Sequence, residues 1–161
     1  MTLLPLPAFR YVILLADSAS LVRTAVGTAL IAAGGGFTDC TGIGVTTEIF
    51  DYTEGGQNGF VHRLPTRSKP SDIVLKRGML ISTDLWSWVR RVNGGTFQRK
   101  DGLIVLLTQR GMPAQGWMFH RALPLNWQGP SLAASQNGVA TESLTLAHEG
   151  LEFVGLDLDL V

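Results

Sequence analysis

Charge is scarce in this chain, and what there is cancels. Only 16% of its 161 residues are charged, and 13 basic residues face 13 acidic ones. A small soluble monomer ordinarily carries more charge on its surface, so the balance fits a protein that covers much of itself with further copies, or a monomer with a large core. With no net charge there is no global field to draw in nucleic acid or an anionic membrane. Cys40 is the sole cysteine, which excludes an intrachain disulfide and gives no sign of an oxidising compartment. It reads as a small hydrophobe in a strand, with Asp39 beside it opposing thiolate formation.

Long apolar runs are missing as well. The stretch from Phe9 to Ala33 is rich in Leu, Val, Ile and Ala, but Asp17, Arg23 and the polar run Ser18 to Ser20 break it well short of a membrane span. No basic region precedes it as in a signal peptide, so the expectation is synthesis in the cytoplasm without membrane insertion. Catalytic signatures are absent too. There is no Gly-x-Ser-x-Gly elbow and no phosphate- or dinucleotide-binding glycine pattern after a strand. His62, His120 and His148 are far apart, so a metal site would have to be assembled by the fold alone, and hydrogen-bonding or stacking roles are expected instead. Glu48, Asp51 and Glu54 are clustered, but on a strand Glu48 and Asp51 point to opposite faces, which favours solvated or ion-paired roles over a catalytic carboxylate pair. No catalytic residue, metal or cofactor is expected.

What is present reads as mostly β. A length of 161 residues fits one domain. Phe9 to Leu15 is β-branched and aromatic, as a strand should be. Ala16 to Gly36 carries Leu21, Ala25, Ala29 and Ala32 at helical spacing and ends in three glycines. Phe37 to Tyr52 reads as one extended stretch kinked at Gly42 and Gly44. A turn cluster follows at Glu54, Gly55, Gly56, Gln57, Asn58 and Gly59, with Asn58-Gly59 the strongest hairpin signal. Strand character resumes at Phe60, Val61, His62, Arg63 and Leu64, breaks at Pro65 and Pro70, and returns over Asp72 to Lys76.

One helix is expected over 83–92. Ser82 or Thr83 caps it, Asp84 sits in its first turn, and Leu85, Trp86, Val89 and Val92 fall on one face. Trp86 is expected to anchor it on the sheet, leaving Trp88 at the margin or at a subunit contact. Asn93-Gly94-Gly95 stops it. Four extended segments follow: Thr96 to Lys100, Gly102 to Thr108, Gln115 to Trp127 and Val139 to His148, with a turn over Lys100, Asp101 and Gly102.

Certain blocks go further when taken together and in order. They are Val45-Thr-Thr-Glu-Ile-Phe-Asp-Tyr-Thr-Glu-Gly-Gly-Gln-Asn-Gly59, Phe60-Val-His-Arg-Leu-Pro65, Ile73-Val-Leu-Lys-Arg-Gly78, Asp84-Leu-Trp-Ser-Trp-Val-Arg-Arg91, Trp117-Met-Phe-His-Arg-Ala122 and Thr141-Glu-Ser-Leu-Thr-Leu-Ala-His-Glu-Gly150. This set resembles the inner-tube proteins of contractile phage tails and of related extracellular injection machines, over roughly Phe9 to Gly150. The resemblance implies a single tail-tube domain over 1–161 with an inserted segment at 16–36 and a C-terminal extension at 151–161. It implies two packed antiparallel sheets, as a β-barrel or sandwich, with one flanking helix.

It further implies that six copies close into a ring by continuing a sheet from one to the next. Rings stack inside a sheath, with sheath and baseplate or spike proteins as partners and protein or DNA passing through the lumen. The projecting hairpin, with Glu54, Gly55, Gly56, Asn58, Phe60, His62 and Arg63, is the expected ring-stacking element. Body rings and the first layers above the baseplate both remain open, as do a discrete effector-carrying ring and a small-molecule-binding β-barrel.

Overall fold

In the computed structural model the described residues are 8, 10–17, 36–79, 84–133, 135 and 137–155. Among these described residues nine strands and one helix follow one another: β1 (Tyr11–Ala16), β2 (Phe37–Thr41), β3 (Val45–Tyr52), β4 (His62–Pro70), β5 (Ile73–Gly78), α1 (Asp84–Asn93), β6 (Lys100–Leu107), β7 (Pro113–Gln128), β8 (Thr141–Ala147) and β9 (Gly150–Gly155). All pairings are antiparallel. Seven strands run in the order β1-β6-β7-β8-β5-β2, with β9 also on β7, while β3 and β4 form a separate two-stranded sheet. The expected mainly β fold with one helix is the fold observed.

Strand β7 belongs to two layers. Its first half pairs with β6 on one side and β9 on the other, and from Leu123 it pairs with β8 instead. The change falls at Arg121, which adopts a φ of 53°, a conformation non-glycine residues reach only at a cost of about 1–3 kcal/mol. Neighbouring charges hold it there. Asp101 accepts from the Arg121 backbone N–H at 2.7 Å, Glu149 accepts from its guanidinium at 2.7 Å, and Arg99 donates to its carbonyl at 3.0 Å.

Between the two layers lies the core, with Ile13, Ile104 and Phe119 from one side and Ile73, Leu75, Leu144 and Leu146 from the other. At the end of the same inner face sits a buried ion pair, Arg77 with Glu142 at 2.5 Å. Trp127 donates its indole N–H to the second Glu142 oxygen at 2.8 Å. These contacts satisfy a carboxylate that would otherwise be strongly penalised away from water.

Helix α1 closes the core, and here the tryptophans exchange the places expected of them. Leu85, Trp88 and Val89 are buried, whereas Trp86 is 45% exposed. At 100° per residue Trp88 lies nearer than Trp86 to the centre of the Leu85, Val89 and Val92 stripe. The Trp88 indole N–H is also satisfied inside, donating to the Gln98 carbonyl at 2.7 Å. Trp86 instead packs at the margin against Trp127, ring centroids 4.6 Å apart. The helix ends as expected: Gly95 has a φ of +90° and Thr96 N–H donates to the Arg91 carbonyl at 2.9 Å, the geometry of a Schellman cap. Ser82 and Thr83, expected to cap its start, lie outside the described residues.

Other boundaries shift for local reasons. Lys100, Asp101 and Gly102 are not a turn but the start of β6, because the Phe119 ring lies across Gly102, where a Cβ would come within 2.0 Å of it. Residues Thr96 to Arg99 are not strand. Strand β4 runs through Pro65 without breaking, since two β4 residues, Thr66 and Arg67, bulge against Glu48 next to it and a two-stranded sheet leaves outward N–H positions a proline can occupy. Residues 151–155, expected within an extension, belong to β9. The helical spacing read in 16–36 and most of that insertion lie outside the described residues.

Trp88→Ala should lower unfolding stability by about 3–5 kcal/mol, and Trp86→Ala by much less, in chemical denaturation of the two variants side by side. Equal losses would contradict the packing of α1.

Candidate assembly surface

Strand β2 stays in the main sheet and β3 leaves it, and the parting is fixed at Gly42 and Gly44. Gly42 has a φ of +86°, and a Cβ there would meet the Asp72 carbonyl oxygen at 2.0 Å, so no other residue fits this crossing without strain. Gly44 accepts a hydrogen bond from Ser71 N–H at 2.9 Å. His148 braces the same root, its two ring nitrogens 2.9 Å from the Ser71 carbonyl and 2.8 Å from that of Gly150. The hairpin therefore departs from an anchored base.

Beyond the base, β3 and β4 pair with each other in a sheet of their own. Every residue of β3 is exposed, and so is all of β4 between its ends. Cross-strand pairs hold the arm. Thr47 and Ser68 hydroxyls lie 3.1 Å apart, Glu48 pairs with Arg67 at 2.6 Å, Asp51 with Arg63 at 3.5 Å and Glu54 with His62 at 3.4 Å. Glu48 and Asp51 are thus ion-paired, each to a different arginine, and Glu54 faces the His62 ring. At the tip, Gln57 N–H donates to the Glu54 carbonyl at 3.2 Å and Gly56 has a φ of +91°, as a type II turn requires at its third residue. The reversal is therefore made by Glu54, Gly55, Gly56 and Gln57, not by Asn58-Gly59, which follow it.

Register places Phe50 opposite Leu64 and Tyr52 opposite His62, so these four side chains share one face. Phe60 adds its ring edge-on to His62 at 4.9 Å. Phe50, Tyr52, Phe60 and Leu64 are each about half exposed. An apolar strip of this kind, beside ion pairs and on an arm set off from the main sheet, is a candidate contact surface. Of the residues expected on the stacking hairpin, Phe60 and His62 belong to this strip, Arg63 points to the opposite face with Asp51, and Glu54, Gly55, Gly56 and Asn58 lie in or next to the tip. Phe50, Tyr52 and Leu64 were not among the residues expected to stack, although the alternation of Phe50 and Tyr52 was a visible sign.

The remaining chemistry is structural. Cys40 faces the core opposite Leu75, and burial, reinforced by the Asp39 carboxylate, pushes its thiol up to about 11. Lys100 donates to the Asp17 carboxylate at 2.8 Å and holds it below its usual range. Among the described residues no three His, Cys, Asp or Glu side chains converge as a metal site, and no helix is long and apolar enough to cross a membrane.

Comparison with known proteins agrees with this geometry. Residues 8–152 match the family described as T4-like virus tail tube protein gp19. A chain of the anti-feeding prophage baseplate is similar at 28% identity, with a TM-score of 0.70 over 76% of this chain and 83% of that one. A chain from the sheath–tube complex of an extracellular contractile injection system, PVC, has a TM-score of 0.77 at 20% identity over 94% of this chain and 93% of that one. One from the PVC sheath/tube terminator has 0.79 at 20% identity, over 96% and 100%. No curated protein sequence matches the chain. With a family match over most of its length and the fold of contractile-machine tube proteins, this chain belongs to the T4-like virus tail tube protein family.

Proposed function

We propose that the chain is a ring-forming subunit of the inner tube of a contractile injection system or phage tail, six copies closing each ring and rings stacking within a sheath. The observation that carries this reading is the hairpin, an anchored arm whose apolar strip stays about half exposed. Fully burying one side chain such as Phe50 or Leu64 is worth about 1.5–3 kcal/mol, repeated six times at every ring junction. Strand edges add to the case. The outer edges of β1, β2 and β9 have no strand partner among the described residues, and a closed ring removes such edges.

In this role the protein makes and breaks no bond. It assembles in the cytoplasm and leaves as part of a particle. Its partners are further copies, the sheath, and baseplate or spike proteins. Protein or DNA would pass through its lumen. A small-molecule-binding barrel is a poor alternative, since Trp88, Phe119, Leu75 and Leu144 fill the space between the layers.

Within the tube, sequence and shape favour different layers. The 28% identity to a baseplate chain favours a layer just above the baseplate, whereas the fuller overlay on a sheath–tube chain favours the body. We take the baseplate-proximal layer as the better reading, because at about 20% identity a shared fold fixes no position in the assembly. Immunogold labelling of intact particles should mark one end. Label along the whole length would assign the chain to the body.

Stacking is tested at the tip. Glu54→Pro with Gly56→Val disrupts the turn at Glu54 to Gln57 without touching the core, and the outcome expected in electron micrographs is rings that neither elongate nor dock on the next layer. Full-length particles that contract normally would mean that the hairpin is not the stacking element.

A further inference from the structure

The face of β1, β6 and the first half of β7 that is turned away from the core is as apolar as the core itself. Register puts Val12, Val105 and Gly116 in one row across it and Leu14, Leu103 and Met118 in the next. Val12 is buried, and Leu103, Val105 and Met118 are at most 1% exposed. Strand neighbours alone cannot bury side chains this far, because they flank them and leave the direction away from the sheet open. An uncovered sheet face looks different: in the other layer Lys76 and Gln128, in one row with Ser143, are both exposed. Among the described residues, the hydrophobic side chains packed around Leu103, Val105 and Met118 all come from the same sheet. Helix α1 packs on its other, core side. The cover also has an edge, since Glu152, paired with Met118, is exposed. It therefore spans three strands, about 10 Å, which is the width of one helix with its side chains.

We propose that this face is a docking surface for residues 18–35 of the same chain, which lie across it as a single amphipathic helix. The segment starts where the apolar face ends. Ala16 packs against the Leu103, Val105 and Met118 group, and Asp17, held by Lys100 at 2.8 Å, fixes the point of departure. As a helix, residues 18–35 reach about 27 Å, enough to run the length of a six-residue strand, about 20 Å. At about 100° per residue, Leu21, Val22, Ala25, Val26, Ala29 and Leu30 form one stripe, with Ser20, Thr24 and Thr28 on the far side. Other occupants fit less well. Residues 1–7 contain Pro5 and Pro7, and 156–161 alternate leucine with Asp157 and Asp159. A second copy is not needed, because the burial is already complete within one chain. The inference concerns the subunit itself and holds in whichever layer of an assembly it sits. It makes the polar side of the segment, rather than the sheet, the surface offered to any partner there.

Met118 offers a probe from inside the contact. The full chain is made with photo-methionine, a diazirine analogue close to methionine in size, in place of its four methionines. After irradiation and digestion, the partners of Met118 are read by mass spectrometry. Crosslinks to β6 and β9 arise in any case, and the expected result is further crosslinks to residues within 18–35. Crosslinks to the sheet neighbours alone, or to 1–7 or 156–161 instead, would overturn the proposal. So would crosslinks of mixed mass in a blend of light and heavy protein, which would make the occupant a second copy. Val26→Asp and Thr24→Asp add an independent readout, placing the same charge on the two sides of the segment. Val26→Asp should lower the thermal unfolding midpoint by several degrees and raise the binding of an apolar dye, or prevent folding, while Thr24→Asp stays close to the parent. Equal effects of the two substitutions would overturn the docking. None of these outcomes depends on rings or tubes, so the tube reading stands or falls separately.

Discussion

Strand β7 has to serve two sheets at once, and the rest of the subunit is arranged around the corner it turns. A continuous strand of 16 residues cannot pair with β6 and β9 and then with β8 unless its direction changes sharply between them. The change is concentrated in Arg121, whose left-handed backbone is over-determined by Asp101, Glu149 and Arg99. Only because that corner holds do the two layers face each other over Phe119 and Leu144. Helix α1 then has an open flank to close with Trp88.

The hairpin obeys the opposite logic. The body buries its core side chains between its layers, yet β3 and β4 leave it at Gly42 and leave Phe50, Tyr52 and Leu64, with Phe60 beside them, about half exposed. Ion pairs keep the arm straight and soluble, though at exposed positions each contributes only a few tenths of a kcal/mol to about 1 kcal/mol. What they secure is register, and register decides which face presents the aromatics. A rigid arm loses less entropy on docking than a floppy loop would. Low overall charge, open strand edges and a projecting apolar strip are then three consequences of one fact: the subunit is shaped for neighbours.

Legibility in the sequence followed range. Features fixed by neighbouring residues were plain: the kink at Gly42, the helix and its glycine stop, the long hairpin, the core-facing thiol. Features fixed by tertiary contacts were not. Gly102 looks like a turn residue until the Phe119 ring is placed over it, and Pro65 looks like a strand break until a bulge appears beside it. Trp86 and Trp88 are two residues apart with similar claims on the helix's buried face. The partner of the Trp88 indole N–H, the Gln98 carbonyl, lies in a segment that reads as strand and is not. The tip turn falls inside the expected cluster Glu54 to Gly59, but its central pair is Gly55-Gly56 rather than Asn58-Gly59, because Gly56 takes the positive φ that the turn requires. The assembly surface was half legible, its glycines and charged residues evident and its aromatic face hidden until the register was known.

The central claim is that this subunit completes itself only with copies of itself. Sedimentation of purified protein at micromolar concentration, with negative-stain images of the same sample, tests it most directly. The account predicts six-membered rings or stacks of them and little free monomer. A single stable monomeric species, with no rings in the images, would contradict it.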